Sequence, residues 1–292
     1  MNGVINIFKN KGMTSFDVVR KIKKITGTGK VGHTGTLDPE ATGVLPVCIG
    51  KATKIIDYIM NTEKGYEVEF KLGVKTTTYD LEGDIIEEND TNHLNDDEIL
   101  KAIYSFVGEY SQVPPMYSAL KQNGVRLYEL ARQGIEVHRE GRLITIYNIE
   151  NVVIKGAHIR MKVTCSKGTY IRSLCFDIGE ALGVGACMTD LKRFKTSVFL
   201  EEDSINIDDL TEDNISNYII SMEEALKTYE KITVGNKYGK LLINGVRVFD
   251  NRISKDEIEI DKLYRVYNED EIFIGLGRKN NQGFKMEKLL NS

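Results

Sequence analysis

The sequence predicts an α+β protein in which helices and strands are intermixed, followed by a small β domain. Three observations support this fold class. Apolar residues recur at helical spacing in four segments, they alternate with polar residues in several others, and after residue 230 short strand-like segments with turn residues take over. We therefore expect a first domain at 1–200, an acidic connector at 201–230 and a β domain at 231–292.

The composition is that of an ordinary globular protein, with 41% apolar and 28% charged residues among 292. No run of about 18 apolar residues predicts a membrane span, and the first residues lack a secretion signal, so we expect a cytoplasmic protein with no membrane partner. The four cysteines form no C-x-x-C pair and the four histidines no H-E-x-x-H pattern. This spacing predicts reduced, buried thiols and no metal.

Acidic residues are concentrated in two segments of the chain. Residues 80–98 carry nine Asp or Glu and no Lys or Arg, and residues 201–230 carry ten against one Lys. The net charge is −4, and each segment contributes −9, so the remainder carries +14. A solvated charged face is the ordinary explanation, but the remainder is also a candidate surface for phosphates.

The first elements follow from local patterns. Residues 3–8 predict a strand, and Thr14 or Ser15 can cap a helix that stops at Gly27. Its inward residues are predicted to be Phe16, Val18, Val19, Ile22 and Ile25. A second helix is expected from Gly50 to Met60.

The middle of the chain continues with a strand, a turn and a helix. Residues 66–72 alternate strictly, so Tyr66 taken alone is the first core residue of a strand. Residues 76–83 are polar and turn-like, and 95–107 predict an amphipathic helix.

Residues 109–138 have a different character, with two adjacent prolines and basic side chains interleaved with aromatic ones. This composition suits a flexible arm over a polyanion, where rings stack on bases and cations meet phosphates. It is equally typical of a surface excursion with a short helix.

Two strands are predicted over 143–165, and Tyr170 to Leu182 predicts a helix that ends at Gly183. Arg172 lies in its first turn, where the helix dipole disfavours a cation, so a partner anion is expected. Residues 191–195 are basic. In the last domain we predict strands at 240–248, 262–267 and 271–276, with Asn244-Gly245 as a hairpin turn.

The segment Gly32-His33-Thr34-Gly35-Thr36-Leu37-Asp38-Pro39-Glu40-Ala41-Thr42-Gly43-Val44-Leu45-Pro46 is dense in glycine and proline, which predicts a shaped loop. Pro39 restricts Asp38 to an extended backbone, which would present its carboxylate rigidly. Asp before Pro is often only a turn-starter. The histidine and three threonines around this acid favour a functional loop, so the two interpretations have about equal weight.

This loop resembles the signature of the bacterial tRNA pseudouridine-55 synthases, the TruB family. Further segments also resemble the family and occur in the same order along the chain. They are residues 11–15, Tyr66, and residues 72–73, 76–83, 115–121, 131–137 and 165–172. The resemblance implies a pseudouridine synthase fold, with a mixed, mainly antiparallel sheet flanked by helices, and a PUA-like C-terminal domain. Residues 109–138 would be an insertion that grips RNA.

The resemblance also implies an activity: isomerisation of a uridine in the T-loop of tRNA, position 55, to pseudouridine. It implies no cofactor, a T-arm stem-loop as partner and a monomeric enzyme. The family's nucleophile falls on Asp38, its base-stacking tyrosine on Tyr66 and the arginine that pairs with the acid on Arg172. The remaining substrate-contacting positions fall on His33, Tyr170 and Leu191. Addition at the sugar, addition at the base and proton removal from the ribose all remain open for the carboxylate.

Two other function classes are compatible with parts of the sequence. A non-catalytic RNA-binding protein would use the same basic surface without chemistry. A nucleotide-phosphate enzyme would use the glycine-rich loop, but 27–30 lacks the G-x-x-x-x-G-K-[ST] spacing.

Overall fold

The computed structural model describes residues 1–290. Its strands are β1 Gly3–Lys9, β2 Val31–His33, β3 Thr42–Ile49, β4 Lys64–Leu72, β5 Val74–Thr76, β6 Ile85–Glu88, β7 Gly108–Gln112, β8 Lys121–Gln122, β9 Val125–Arg126, β10 Arg142–Lys155, β11 His158–Cys165, β12 Ala186–Thr196, β13 Phe199–Leu200, β14 Ile205–Asn206, β15 Glu230–Thr233, β16 Leu263–Tyr267, β17 Phe273–Asn280 and β18 Gly283–Leu289. Its α-helices are α1 Ser15–Thr26, α2 Ile56–Met60, α3 Asp96–Tyr104, α4 Leu127–Arg132, α5 Ile171–Ala181, α6 Met222–Ala225 and α7 Asn236–Ile243. Short 3-10 helices cover Gly50–Ile55, Glu201–Asp203, Ile207–Asp209, Ile215–Tyr218 and Asn251–Ile253.

A ten-stranded sheet forms the body of the protein, in the order β14-β1-β3-β12-β4-β11-β10-β7, with β2 added to β3 and β13 to β12. Its pairs are antiparallel except β1 with β14 and β12 with β3. A second sheet of four strands, β15 to β18, follows near the C-terminus. The α+β class, with a mainly antiparallel sheet, flanking helices and a C-terminal β domain, is confirmed.

Both faces of the large sheet are covered near its β1 and β3 strands. Leu45 and Val47 belong to one cluster of buried residues, together with side chains of α1, α3 and α5. Val44 and Cys48 belong to another, which includes Leu276 from the C-terminal sheet. Because neighbouring residues of a strand face opposite sides, β3 needs a nearly continuous apolar sequence.

β3 corrects the prediction that 32–46 is all loop, since the irregular part covers only 34–41. Gly43 lies in the strand with φ of +106°, and a Cβ there would lie 2.2 Å from the carbonyl oxygen of Arg193. Glycine is therefore required by the close approach of β12, which local sequence does not reveal.

Two further predictions were wrong. The strand predicted at 240–248 is not formed: residues 240–243 belong to α7, Asn244 caps the helix C-terminus and Gly245 follows at φ of +79°. Asn-Gly therefore ends a helix instead of turning a hairpin. Phe16 is 59% exposed, since it lies about 100° around α1 from the centre of the buried arc that includes Val18 and Ile22.

Candidate active site

Asp38 lies on the loop that joins β2 to β3. The loop is closed by the Thr34 amide, which donates to the Pro46 carbonyl at 3.0 Å, and by the Ala41 amide, which donates to the Asp38 carbonyl at 3.1 Å. Ser15 at the start of α1 exchanges two hydrogen bonds with the Leu37 backbone, at 2.9 and 3.1 Å. The backbone on each side of Asp38 is thus held by other elements.

Two buried cations, Lys9 and Arg193, donate hydrogen bonds to backbone carbonyls of this loop. Neither contact was predicted from the sequence. The Lys9 ammonium donates to the carbonyls of Asn10, Met13 and Pro39 at 2.8–3.0 Å, and burial lowers its pKa to about 8. Arg193 donates from Nε to the Val44 carbonyl at 2.8 Å and from Nη2 to the Gly35 carbonyl at 3.1 Å. A basic segment such as 191–195 is typical of an exposed surface, but Arg193 is only 1% exposed.

Arg172, in the first turn of α5, meets the Asp38 carboxylate. Its Nε lies 3.1 Å from Asp38 Oδ2, and the Asp38 side chain is 39% exposed. The guanidinium is fixed on its other edges as well, because Nη1 donates to the Thr78 carbonyl at 3.2 Å and Nη2 to the Tyr117 carbonyl at 2.8 Å. A buried arginine satisfied on several sides presents Nε in one direction.

Asp80 is a second carboxylate at the same guanidinium, and sequence reasoning missed it. Its Oδ2 lies 3.2 Å from Arg172 Nη1, and its Oδ1 accepts from the Thr78 hydroxyl and, at 3.1 Å, from the Glu82 amide. Asp80 lies within the polar turn 76–83 and directly follows Tyr79, which has φ of +66°. An acid in a polar turn is too common a pattern to single out before the turn is placed.

The Asp38 carboxylate lines a cleft of about 220 Å³. An apolar wall is formed by Ala41, Leu81, Met188 and Leu191, and the polar lining beside Asp38 consists of the acids Glu40, Asp80, Glu82 and Asp190, the single base Lys11 and Thr189. Burial, followed by the charge of Asp80, raises the pKa of Glu82. The lining therefore suits a neutral, partly apolar group better than a phosphate.

The structure places the other predicted site residues around this cleft but not in its lining. Tyr66 is 7% exposed in the core cluster that also holds Leu37 and Leu191. Its strand register sets Arg193 opposite it, and burial raises its pKa. Tyr170 is the residue that precedes the first turn of α5, and burial raises the pKa of its phenol.

His33 ends β2 at the entrance to the loop. Its Nδ1 accepts a hydrogen bond from the Gly35 amide at 3.3 Å, and burial and then the Arg193 charge lower its pKa. The ring is therefore neutral near pH 7, with its remaining proton on Nε2.

The arm at 109–138 begins with β7 and is otherwise irregular except for β8, β9 and α4. Tyr128 lies beneath the guanidinium groups of Arg126 and Arg132, at 5.8 and 5.5 Å from the ring centroid. Arg139 secures the arm by donating to the Pro114 carbonyl at 3.1 Å. The short helix expected for a surface excursion is present as α4, and contact of this segment with RNA stays a prediction.

No helix within residues 1–290 is long and apolar enough to cross a membrane. In the same range, no group of three or more His, Cys, Asp and Glu side chains is arranged to hold a metal ion.

Comparison with known proteins agrees with this geometry. Residues 23–171 match the family profile described as "TruB family pseudouridylate synthase (N terminal domain)", and residues 172–228 match "tRNA pseudouridylate synthase B C-terminal domain". A protein named tRNA pseudouridine synthase B from Clostridium perfringens (strain SM101 / Type A) is 64% identical over 291 residues, covering 99% of each chain. A protein of the same name from Clostridium tetani is 55% identical over 290 residues, covering 99% of this chain and 100% of that one.

Solved structures show the same fold. The chain in "Crystal Structure of a Cbf5-Nop10-Gar1 Complex" is 30% identical with a TM-score of 0.75, over 98% of this chain and 84% of that one. The chain in "Structure of H/ACA RNP bound to a substrate RNA containing 2'-deoxyuridine" is 26% identical with a TM-score of 0.75, over 99% and 85%. The resemblance noted in the sequence is thereby confirmed, and the chain belongs to the TruB family of pseudouridylate synthases.

Proposed function

We propose that this protein converts the uridine at position 55, in the T-loop of tRNA, to pseudouridine, with Asp38 as the nucleophile. Family membership makes the chain an isomerase that acts on tRNA. The observation that carries the finer assignment is the Asp38 carboxylate, which lines an open cleft while Arg172 Nε holds it at 3.1 Å.

The chemistry needs only one carboxylate. The bond between uracil N1 and ribose C1′ breaks, a bond from C5 to C1′ forms, C5 loses a proton and N1 gains one. Glycoside hydrolysis uses a second carboxyl group because a water must be activated or a leaving group protonated. No water is added here, so Asp38 serves as the nucleophile while Asp80 remains engaged with Arg172 and Thr78.

The cleft fits an extruded base. A uridine inside a stacked loop cannot reach a carboxylate in a concave site, so it must leave its stack, at a cost of a few kcal/mol. We assign the apolar wall at Leu191 and the ring of Tyr66 to packing against the uracil, and His33 and Tyr170 to holding its nucleotide. Because Glu40, Glu82 and Asp190 line the cleft, their charges favour entry of the neutral base and repel phosphates.

Phosphate contacts belong to other surfaces in this proposal. The arm at 109–138 offers Arg126 and Arg132 beside Tyr128, a combination that binds phosphates and stacks on bases. We also assign residues 231–292 to RNA binding, with 1–200 as the catalytic domain and 201–230 as the connector between them.

The direct test is incubation of the full chain with a T-loop stem that contains one uridine, at position 55, followed by nucleoside analysis. We expect stoichiometric conversion to the C-linked isomer without added cofactor. The matched control is a stem-loop of the same composition in which the single uridine lies in the helical part instead of at position 55. Unchanged uridine in the first stem, with bound enzyme, would show that this protein binds RNA without the proposed chemistry.

A further inference from the structure

Gln112 joins the start of the arm to the start of the catalytic helix. It is the last residue of β7 and is 1% exposed. Its Oε1 accepts from the Tyr170 amide at 2.8 Å, and its Nε2 donates to the Tyr170 carbonyl at 3.1 Å and to the Tyr110 hydroxyl at 2.6 Å. Both polar groups of the Tyr170 backbone are therefore bound by one side chain from another element.

This contact binds one of the unpaired amides at the start of α5, that of Tyr170. The N-cap residue of α5, Tyr170, makes no side-chain capping hydrogen bond to the helix. Helix N-termini carry unpaired amides, and where the chain itself does not bind them another group must. Gln112 thus determines where the first turn of α5, which contains Arg172, begins.

Two of the next six residues are bound by the same turn, and we call residues 112–118 the arm root. The Ser173 hydroxyl donates to the Val113 carbonyl at 2.9 Å, and Arg172 Nη2 donates to the Tyr117 carbonyl at 2.8 Å. One guanidinium therefore touches the arm root with Nη2 and the Asp38 carboxylate with Nε. A displacement of the arm root must be transmitted to the Arg172–Asp38 contact.

We propose that Gln112 is a positioning residue for the isomerisation, which couples placement of the arm root to the orientation of Arg172 against Asp38. The inference rests on the proposed function, since it takes Asp38 and Arg172 as the reacting centre. Gln112 touches neither of them and acts through the Tyr170 backbone. Small misplacements of a catalytic pair can cost about 100-fold in rate, so the effect should appear in catalysis before it appears in binding.

The test is Gln112→Met, which keeps the length of the side chain and removes its donor and acceptor. Single-turnover rate constants with saturating enzyme and dissociation constants for the T-loop stem are measured separately. We expect the rate constant to fall at least about tenfold while the dissociation constant changes less than about twofold. A wild-type rate constant in the variant would overturn the proposal.

Asn89→Leu is the matched control, because the Asn89 amide donates at 3.0 Å to the Val184 carbonyl, just beyond the other end of α5. We expect Asn89→Leu to lower the melting temperature without lowering the rate constant. An equal loss of rate in Asn89→Leu and Gln112→Met would mean that any destabilisation of α5 slows the reaction, which would contradict the proposal.

Ser173→Ala is the second variant, since it removes only the hydroxyl that binds the arm root. If Gln112→Met does not fold, Ser173→Ala decides the question: a rate constant reduced about threefold or more supports the coupling, and an unchanged one rejects it. Wild-type turnover in the same assay separates this result from failure of the proposed function, which would leave the wild type inactive as well.

Discussion

At the scale of single residues, the site is organised by one guanidinium shared between two acids. Arg172 meets Asp38, whose side chain is 39% exposed, and Asp80, whose side chain is 12% exposed. Both acids line the cleft, but Asp38 is the more exposed of the two, while Asp80 also accepts hydrogen bonds from the Thr78 hydroxyl and the Glu82 amide. The two carboxylates therefore differ in their freedom to meet a substrate, although they share a partner.

Asp38→Asn should remove turnover and keep RNA binding. The amide occupies the same space and can still accept from Arg172, but it is not a nucleophile at neutral pH. We expect the single-turnover rate constant to fall by at least about 10³-fold, with the dissociation constant for the T-loop stem within about twofold of wild type. Residual activity near the wild-type rate would assign the chemistry to another group.

Arg172→Met and Arg172→Lys should separate charge from geometry. The Met variant leaves Asp38 and Asp80 without their cation, which for a buried pair costs about 3–5 kcal/mol of stability and should abolish turnover. The Lys variant keeps the charge but cannot reach both acids and the Tyr117 carbonyl at once, so we expect a smaller stability loss and a rate at least about 100-fold lower. Urea unfolding and single-turnover kinetics measure the two effects, and a fully active Lys variant would contradict the geometric role.

Tyr66→Leu and Tyr66→Phe test whether the ring serves the base or only the core. Tyr66 is 7% exposed, so the Leu variant should lose about 1–3 kcal/mol of stability from altered packing. If the ring packs on the uracil, the folded Leu variant should also lose at least about 100-fold in rate, whereas the Phe variant should retain most of it. A Leu variant that is less stable but turns over normally would make Tyr66 a core residue alone.

At the scale of elements, α5 carries both Arg172 and a half-buried acid, Asp177. Asp177 lies about 140° around α5 from Arg172. Its Oδ2 is 3.5 Å from the Tyr110 hydroxyl. Burial raises the pKa of this carboxyl to about 6 from 3.8. Tyr110 also accepts from Gln112, so the acid lies at the end of the chain of contacts that reaches the α5 N-terminus.

Asp177→Asn should stabilise the protein at pH 8 and not at pH 4. The folded state binds this proton more tightly than the unfolded chain, so stability falls as pH rises from about 4 to about 6, and the penalty persists above that range. The neutral amide avoids it, which predicts a gain of about 1–3 kcal/mol at pH 8. Urea unfolding at the two pH values measures the difference, and an equal change at both would show that ionisation of Asp177 is not the cause.

At the scale of the whole molecule, the acidic connector 201–230 and the basic arm 109–138 lie at opposite edges of the large sheet, whereas the acidic segment 80–98 leads into α3, which packs against β10. The connector contributes β14 to one edge, and the arm starts from β7 at the other. The Asp38 loop enters β3, and Leu191 lies on β12, both nearer the middle. A polyanion bound along the arm would thus reach the cleft without crossing the connector.

This charge distribution predicts salt-dependent tRNA binding in spite of the net charge of −4. If about four phosphates are contacted, affinity should fall about 100-fold between 50 and 200 mM salt, because the counterions released from the RNA on binding enter a more concentrated solution. The single-turnover rate constant at saturating enzyme should change little. Filter binding across this range measures the slope, and a slope near zero would exclude a phosphate-dominated interface.

Local sequence was sufficient for features that depend on neighbouring residues. The capping box at Thr14, the left-handed Gly27 after α1, the alternation in β4 and the bounds of α5 all follow from backbone chemistry within a few positions. The resemblance carried by the Asp38 loop identified the family for the same reason, since its residues are contiguous. Local signals failed where one pattern serves two structures, as Asn244-Gly245 does at the end of α7.

The sequence by itself determined that a rigid Asp-Pro loop, a basic and aromatic arm and an arginine at a helix start would exist in this protein. Only the tertiary structure decided that Arg172 faces both Asp38 and Asp80, that Arg193 is buried beneath the loop, and that Gln112 caps α5. The physical reason is that contacts between distant segments depend on strand order and register. Burial then selects which of many charged side chains must find a partner inside the fold.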